Sequence, residues 1–263
     1  MLSDQALVTN LLPVFSRGGA RRQAWLPRQV LVTPDALRWE HGRAIVERAA
    51  RLGGEVTQLK SEPGRDSRTG FLAVRVRSSQ EHDGGRYCAE ERQGPPQPIP
   101  PSAVWQFHVA RGCPAHCQYC YLAGSLSDPP LTRVYANLPE ILDELKHVLG
   151  GGSVTSRTGT GREGEGTTFE ISCYTGPLGF EHLTGSLEYC IRHFGSWNAP
   201  VHLRWTKFSD VERLAGLPHG GRTRVRLSVS APKVMARLKS GTSTFEARVA
   251  ARRTLAITGI RWD

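Results

Sequence analysis

An α/β fold is predicted for this 263-residue chain. Three observations predict it: a β-α-β pattern near the N-terminus, a polar break rich in glycine and then proline, and a strand–helix alternation repeated four times after it. Residues 1–25 show little periodicity, end near the basic pair Arg21-Arg22 and read as a flexible leader or a loosely docked arm. Gln29 to Thr33 alternates as a strand, Asp35 to Leu52 has helical apolar spacing closed by Gly53-Gly54, and Glu55 to Leu59 is a second strand. A charged loop, Ser61 to Thr69, precedes the strand Phe71 to Val76. Ser79 to Ser102 is polar and glycine-rich, then carries Pro95, Pro96, Pro98, Pro100 and Pro101, which places a domain boundary there. The expected organisation is a leader (1–25), an N-terminal α/β appendage with its linker (26–102) and a catalytic body (103–263).

In the body, the strands Val104 to Ala110, Thr168 to Ser172, Val201 to Thr206 and Arg224 to Ser230 alternate with helices at Pro139 to Leu149, His182 to Phe194, Val211 to Leu217 and Thr244 to Thr258. Four such units imply a parallel sheet. The tract Gly150 to Gly166 reads as an insertion, because no Lys-Ser/Thr follows it as a phosphate loop would require. At Ile260 to Asp263 a fifth strand is expected to begin, so the chain is expected to stop mid-architecture.

No stretch approaches the eighteen or so apolar residues of a membrane span, and Met1 to Asn10, with Asp4, does not read as a secretory signal. A soluble, cytoplasmic protein without a membrane partner is expected, and its six cysteines are expected to stay reduced. The formal charge is +10. A basic stretch runs through Arg213, Arg222, Arg224, Arg226, Lys233, Arg237, Lys239, Arg248, Arg252 and Arg253, which suits either a nucleic-acid partner or solvated helix faces.

The segment Arg111-Gly112-Cys113-Pro114-Ala115-His116-Cys117-Gln118-Tyr119-Cys120-Tyr121 places three thiols at C-x3-C-x2-C directly after a strand. Iron in clusters prefers thiolate, and three protein ligands on a 4Fe-4S cluster leave one iron open to a small molecule. S-adenosylmethionine needs such an open iron for its amino and carboxylate groups; an electron then breaks a carbon–sulfur bond and a 5'-deoxyadenosyl radical forms. A zinc site completed by His116, or unliganded loop thiols, are the alternatives. Of the remaining cysteines, Cys88 reads as a surface thiol in the linker and Cys190 as core.

From about Val32 onward the sequence resembles the radical S-adenosylmethionine enzymes, and within them the spore photoproduct lyase family. The likeness rests on the cysteine triplet and on Phe169-Glu170-Ile171-Ser172-Cys173, Glu181-His182-Leu183-Thr184, Thr206-Lys207-Phe208 and Arg224-Val225-Arg226-Leu227-Ser228-Val229-Ser230, in that order. The resemblance implies a partial (incomplete) β/α barrel of the radical S-adenosylmethionine type. It implies that Cys173 gives a hydrogen atom to the product radical, the alternative being a small buried hydrophobe. It also implies that Tyr119 and Tyr121 flank the cofactor and support radical or hydrogen transfer, and that Lys207, Ser228 and Thr175 contact S-adenosylmethionine, with the Lys207 ammonium suited to its carboxylate.

The resemblance further implies UV-damaged DNA as partner, a flavodoxin- or ferredoxin-type electron donor, and lyase chemistry that reverts 5-thyminyl-5,6-dihydrothymine to two thymines. Radical chemistry on another substrate, or a cluster-binding remnant without turnover, are the alternatives. Two departures stand out: Gly176 occupies a place where the family usually has an acidic residue, and the strands and helices that follow in family members, with their DNA-gripping residues, are absent from the sequence.

Overall fold

The computed structural model describes residues 24–60, 71–75, 105–118, 120, 132–148, 167–171, 175–197, 201–206, 208–228 and 230–262. Two five-stranded sheets organise them. The first has the order β2-β1-β3-β7-β5, from β1 (Gln29–Val32), β2 (Glu55–Gln58), β3 (Phe71–Arg75), β5 (Ala110–Arg111) and β7 (Thr132–Tyr135). All neighbours are parallel except β5, which runs antiparallel to β7. Parallel neighbours need a crossover, and α1 (Glu40–Arg51) provides the one between β1 and β2. Its buried residues His41, Gly42, Ile45 and Ala49 form one stripe. Gly42 permits the close approach, because a Cβ there would stand 2.1 Å from the Ala36 carbonyl oxygen and 2.8 Å from Ala136 Cβ.

The second sheet has the order β12-β10-β9-β8-β4, every pair parallel. Its strands are β4 (Trp105–Phe107), β8 (Thr167–Ile171), β9 (Val201–Thr206), β10 (Thr223–Arg226) and β12 (Arg261–Trp262). Each strand lies beside its predecessor in the chain, as the sequence alternation requires. The helix-covered face is aromatic: Phe169 of β8 meets Phe194 of α4 (Ser186–Ser196) at 5.5 Å between ring centroids, and Phe107 stacks on Phe194 at 6.0 Å. On the opposite face one row of register partners reads Gln106, Glu170, Arg204, Arg224 and Arg261.

Several expectations change. The strand expected over Val104 to Ala110 is two strands: β4 ends at Phe107, and after His108-Val109 the chain enters the other sheet as β5. The first sheet therefore takes strands from both sides of the Ser79 to Ser102 linker. Val211 to Leu217 forms turns instead of a helix, because Gly216 takes φ +85° and Pro218 follows. The expected helix His182 to Phe194 is broken at Gly185 (φ +64°) into α3 (Glu181–Thr184) and α4. The strand expected to reach Ser230 stops at Arg226.

Four strands and helices carried no sequence signal: β6 (His116–Cys117), β7, α5 (Pro232–Leu238) and β11 (Lys239–Ser240). The other expected helices hold with shifted ends, as α2 (Leu138–Glu144) and α6 (Phe245–Ile257), the latter capped by the Thr244 hydroxyl accepting from Ala247 N–H at 3.2 Å. The strand expected at Ile260 to Asp263 is present as β12, paired with β10. No helix is long and apolar enough to cross a membrane among the described residues.

The basic stretch is only partly a surface feature. Arg224 and Arg248 are buried, so for these two the solvated-face reading is wrong. The Arg248 guanidinium donates from Nε to the Ser243 carbonyl at 3.2 Å and from Nη1 to the Ser228 carbonyl. Arg226 stands 3.5 Å from the Glu170 carboxylate on the row-bearing face of the sheet.

Candidate functional site

The three cysteines lie in the connection from β5 to β7, two neighbouring strands of the first sheet. Gly112, in the left-handed region at φ +85°, turns the chain out of β5, and Cys113 follows it. Cys117 lies in β6 (His116–Cys117), which pairs antiparallel with β11 so that Cys117 faces Lys239 and His116 faces Ser240. The Gln118 N–H donates to the Leu238 carbonyl at 3.0 Å, and the Cys120 N–H donates to the Cys117 carbonyl at 3.2 Å, closing a tight turn between the second and third thiols. The loop is thus stapled to the segment after β10. That segment is tied back in turn, with Lys239 Nζ donating to Ser230 Oγ at 2.7 Å and Arg248 gripping the Ser228 carbonyl.

Cys113, Cys117 and Cys120 are half-buried and in no disulfide. Three thiols within eight positions on one backbone-braced loop fit a thiolate-ligated cluster. Among the described residues no three His, Cys, Asp or Glu side chains converge as one bound ion requires. Cys190, on α4, is fully buried and its thiol is pushed up by burial, as expected of a core residue.

Thr175 stands four residues past the end of β8. It is 2 % exposed, and among the described residues its buried hydroxyl has no hydrogen-bond partner. A buried hydroxyl left unpaired is costly, and a polar ligand atom would relieve it. Ser228, two residues past β10, is exposed, and its carbonyl is engaged by Arg248. Tyr119, Tyr121, Cys173 and Lys207 lie outside the described residues, as does Cys88. In the sequence, Cys173 follows the last residue of β8 by two positions and Lys207 follows the last residue of β9 by one.

Beside Gly176 and Gly179 packs Phe208, which the sequence singled out only as the neighbour of Lys207. A Cβ on Gly176 would stand 2.2 Å from the Phe208 ring. One on Gly179 would stand 2.7 Å from that ring and 2.8 Å from Pro114 Cγ. The buried Phe208 ring is thus seated against two glycines, and the second glycine also touches the proline that follows Cys113. The acidic side chain expected by resemblance at Gly176 has no room here.

The motif Glu181-His182-Leu183-Thr184 has a structural explanation. The buried Glu181 carboxylate accepts from the backbone N–H groups of Leu187 and Glu188, both at 2.9 Å, and so caps α4. Burial pushes its pKa up to about 7 against the pull of those two N–H groups. His182 Nε2 bonds the Trp25 carbonyl at 2.9 Å, and Arg48 of α1 donates to the Thr184 carbonyl at 2.8 Å. His41, also on α1, pairs with Ser186 Oγ at 3.1 Å and is held down at about 4 by burial and by Arg48. This cluster joins α1 to α3 and α4.

The spore photoproduct lyase of Bacillus subtilis (strain 168) is 29 % identical over 239 residues, which are 86 % of this chain and 63 % of that protein. The spore photoproduct lyase of Geobacillus sp. (strain Y412MC61) is 30 % identical over 249 residues, 90 % of this chain and 66 % of that protein. The chain thus spans a little under two thirds of the length of these curated relatives. A solved structure of a spore photoproduct lyase mutant with bound AdoMet and dinucleoside spore photoproduct superposes with a TM-score of 0.73 at 26 % identity, covering 91 % of this chain and 67 % of that one. Another, a spore photoproduct lyase complexed with dinucleoside spore photoproduct, gives 0.73 at 27 % identity. The family profile of spore photoproduct lyase matches residues 97–262, more than half of the sequence and all of the cysteine loop, and the chain belongs to that family.

Proposed function

We propose that this chain carries the radical S-adenosylmethionine chemistry of a spore photoproduct lyase and acts on the methylene-bridged thymine pair of UV-damaged DNA. The observation that carries the reading is the backbone-braced loop of Cys113, Cys117 and Cys120, none in a disulfide. Those three thiolates would hold a 4Fe-4S cluster. When bound, that cluster with S-adenosylmethionine supplies the one-electron cleavage of a carbon–sulfur bond, and hence a carbon radical able to abstract hydrogen. The all-parallel sheet, with strands in chain order, supports a partial β/α barrel whose functional rim is the C-terminal ends of its strands.

The roles of this chain's own residues follow from that rim. The buried Thr175 hydroxyl would hydrogen-bond S-adenosylmethionine, satisfying a group that lacks a partner among the described residues. Lys207 would pair with its carboxylate, Ser228 would add a contact, and Tyr119 and Tyr121 would flank the reacting atoms. Cys173 would return hydrogen at the end of the cycle: its S–H bond breaks, a C–H bond forms on the thymine radical, and a sulfur-centred radical remains on Cys173. The lesion pair must leave the base stack, at a cost of roughly a few kcal/mol. This reading places the protein in the cytoplasm with the chromosome, drawing electrons from a flavodoxin- or ferredoxin-type donor.

The test is anaerobic purification, reconstitution with iron and sulfide, and reduction in the presence of S-adenosylmethionine and an oligonucleotide containing the lesion. Release of 5'-deoxyadenosine together with restored thymines is expected. Release without repair would move the substrate to another molecule, and no release would sink the enzyme reading. Cys173→Ala is expected to leave cofactor cleavage intact and divert the thymine radical to side products.

A further inference from the structure

We propose that α5 and β11 form the docking surface for a small acidic one-electron carrier protein, the flavodoxin or ferredoxin class of donor, beside the cysteine loop. The proposal rests on the cluster being held by Cys113, Cys117 and Cys120, and it adds where the electron enters.

Three features of the segment converge. The first is position. β11 pairs directly with the strand that holds Cys117, and the Leu238 carbonyl accepts from Gln118 N–H at 3.0 Å. Antiparallel partners stand about 5 Å apart at Cα, and the seven residues of α5 extend about 10 Å. The face of α5 therefore begins beside a thiol-bearing residue and ends within roughly 15 Å of it.

The second feature is surface chemistry. Met235 is buried and anchors α5, while Val234 and Leu238 are exposed at 39 % and 37 %. Lys233 and Arg237, also exposed, flank them. An apolar pair rimmed by cations suits a protein surface with an apolar centre and an acidic rim. The position of this apolar pair, on the element that leads directly into the strand paired with the Cys117 strand, favours a redox protein over nucleic acid as its partner.

The third feature is charge at longer range. No acidic residue occurs between Glu212 and Glu246, and the whole chain carries a formal +10. That field steers a negatively charged carrier toward this side of the molecule. On docking, the carrier is oxidised by one electron and the cluster is reduced by one, with no bond made or broken.

The experiment uses the full chain with its cluster reconstituted, and four forms: wild type, K233E/R237E, V234S, and R51E as a charge-reversal control on α1, the crossover helix of the other sheet. Stopped-flow absorbance follows cluster reduction by reduced flavodoxin and, separately, by dithionite, while flavin fluorescence measures the flavodoxin Kd. For K233E/R237E a tenfold or greater fall in the second-order rate with flavodoxin is expected at low salt, with a flattened salt dependence and a matching weaker Kd. Its reduction by dithionite, and both rates of R51E, are expected to match wild type. V234S is expected to weaken the Kd without altering the salt dependence, which separates the apolar contact from the charge. Unchanged flavodoxin kinetics in K233E/R237E would overturn the proposal. So would a loss of affinity for duplex DNA with carrier binding intact, which would give this face to nucleic acid. A wild type with no dithionite-reducible chromophore would sink the cluster reading, and this one with it.

Discussion

Thr175 and Gly176, adjacent in sequence, show two kinds of local cost. The Thr175 hydroxyl is buried without a partner among the described residues, which costs about 1–3 kcal/mol relative to an apolar group of the same shape. Thr175→Val is therefore expected to stabilise the chain by an amount in that range, read from urea denaturation, and to weaken S-adenosylmethionine binding about tenfold, read by equilibrium dialysis. Equal cofactor affinity in the two forms would remove Thr175 from the site. Gly176 is set by steric contact: the place of its Cβ is 2.2 Å from the Phe208 ring. Gly176→Asp is expected to cost about 1–3 kcal/mol through forced displacement of that ring. On a Phe208→Ala background the same change is expected to cost less, and additive effects in the double-mutant cycle would refute the contact. The sequence exposes Gly176 as a departure from its family but not the reason, because the reason is an aromatic ring thirty-two positions away.

Among the elements, the junction of α1 with α3 and α4 is where pH acts. Glu181 is raised from 4.5 to about 7, so the folded chain keeps a proton that the unfolded chain releases. Its contribution to stability is complete below about pH 4.5 and is lost as pH rises through about 7. His41 is lowered from 6.5 to about 4, and its contribution is complete above about pH 6.5 and is lost as pH falls through about 4. Each is worth on the order of 3 kcal/mol, and over the shared window they oppose each other. Glu181→Gln is expected to lose part of the cap on α4 at every pH. Its stability relative to wild type is nonetheless expected to improve steadily from pH 4.5 to 7.5, measured by urea titration; a flat difference would mean Glu181 does not titrate in this window. The helical periodicity of α1, α4 and α6 was legible in the sequence, since one apolar stripe needs only local spacing. The seven residues of α5 and the four of β7 were not, because elements that short are held by their neighbours more than by their own pattern.

Across the whole molecule, the first sheet is assembled from strands on both sides of the linker. β3 and β7 pair in parallel over four residues, and β5 joins β7, so the N-terminal unit shares backbone hydrogen bonds with the segment that carries the cysteines. A protease site introduced within residues 95–101 is therefore expected to give two fragments that remain together on size exclusion and separate only in denaturant. Fragments that separate without denaturant would show the two parts to be independent. The change of composition at Ser79 to Ser102 was legible in the sequence. The strand pairing across it was not, because parallel partners lie far apart in the chain and leave no short-range mark.

The amino-acid sequence by itself determined the three-thiol spacing at Cys113, Cys117 and Cys120 and the order of strands β4, β8, β9, β10 and β12. Ligand spacing and apolar periodicity are properties of neighbouring residues, and they survive without knowledge of the fold. Only the tertiary structure decided that β11 braces the cysteine loop, that Phe208 fills the space beside Gly176, that Arg224 and Arg248 are buried, and that Glu181 caps α4 at a junction with α1. Each of these is a contact between residues remote in sequence. Burial and backbone pairing choose among such contacts, and both come into being only when the sheets assemble.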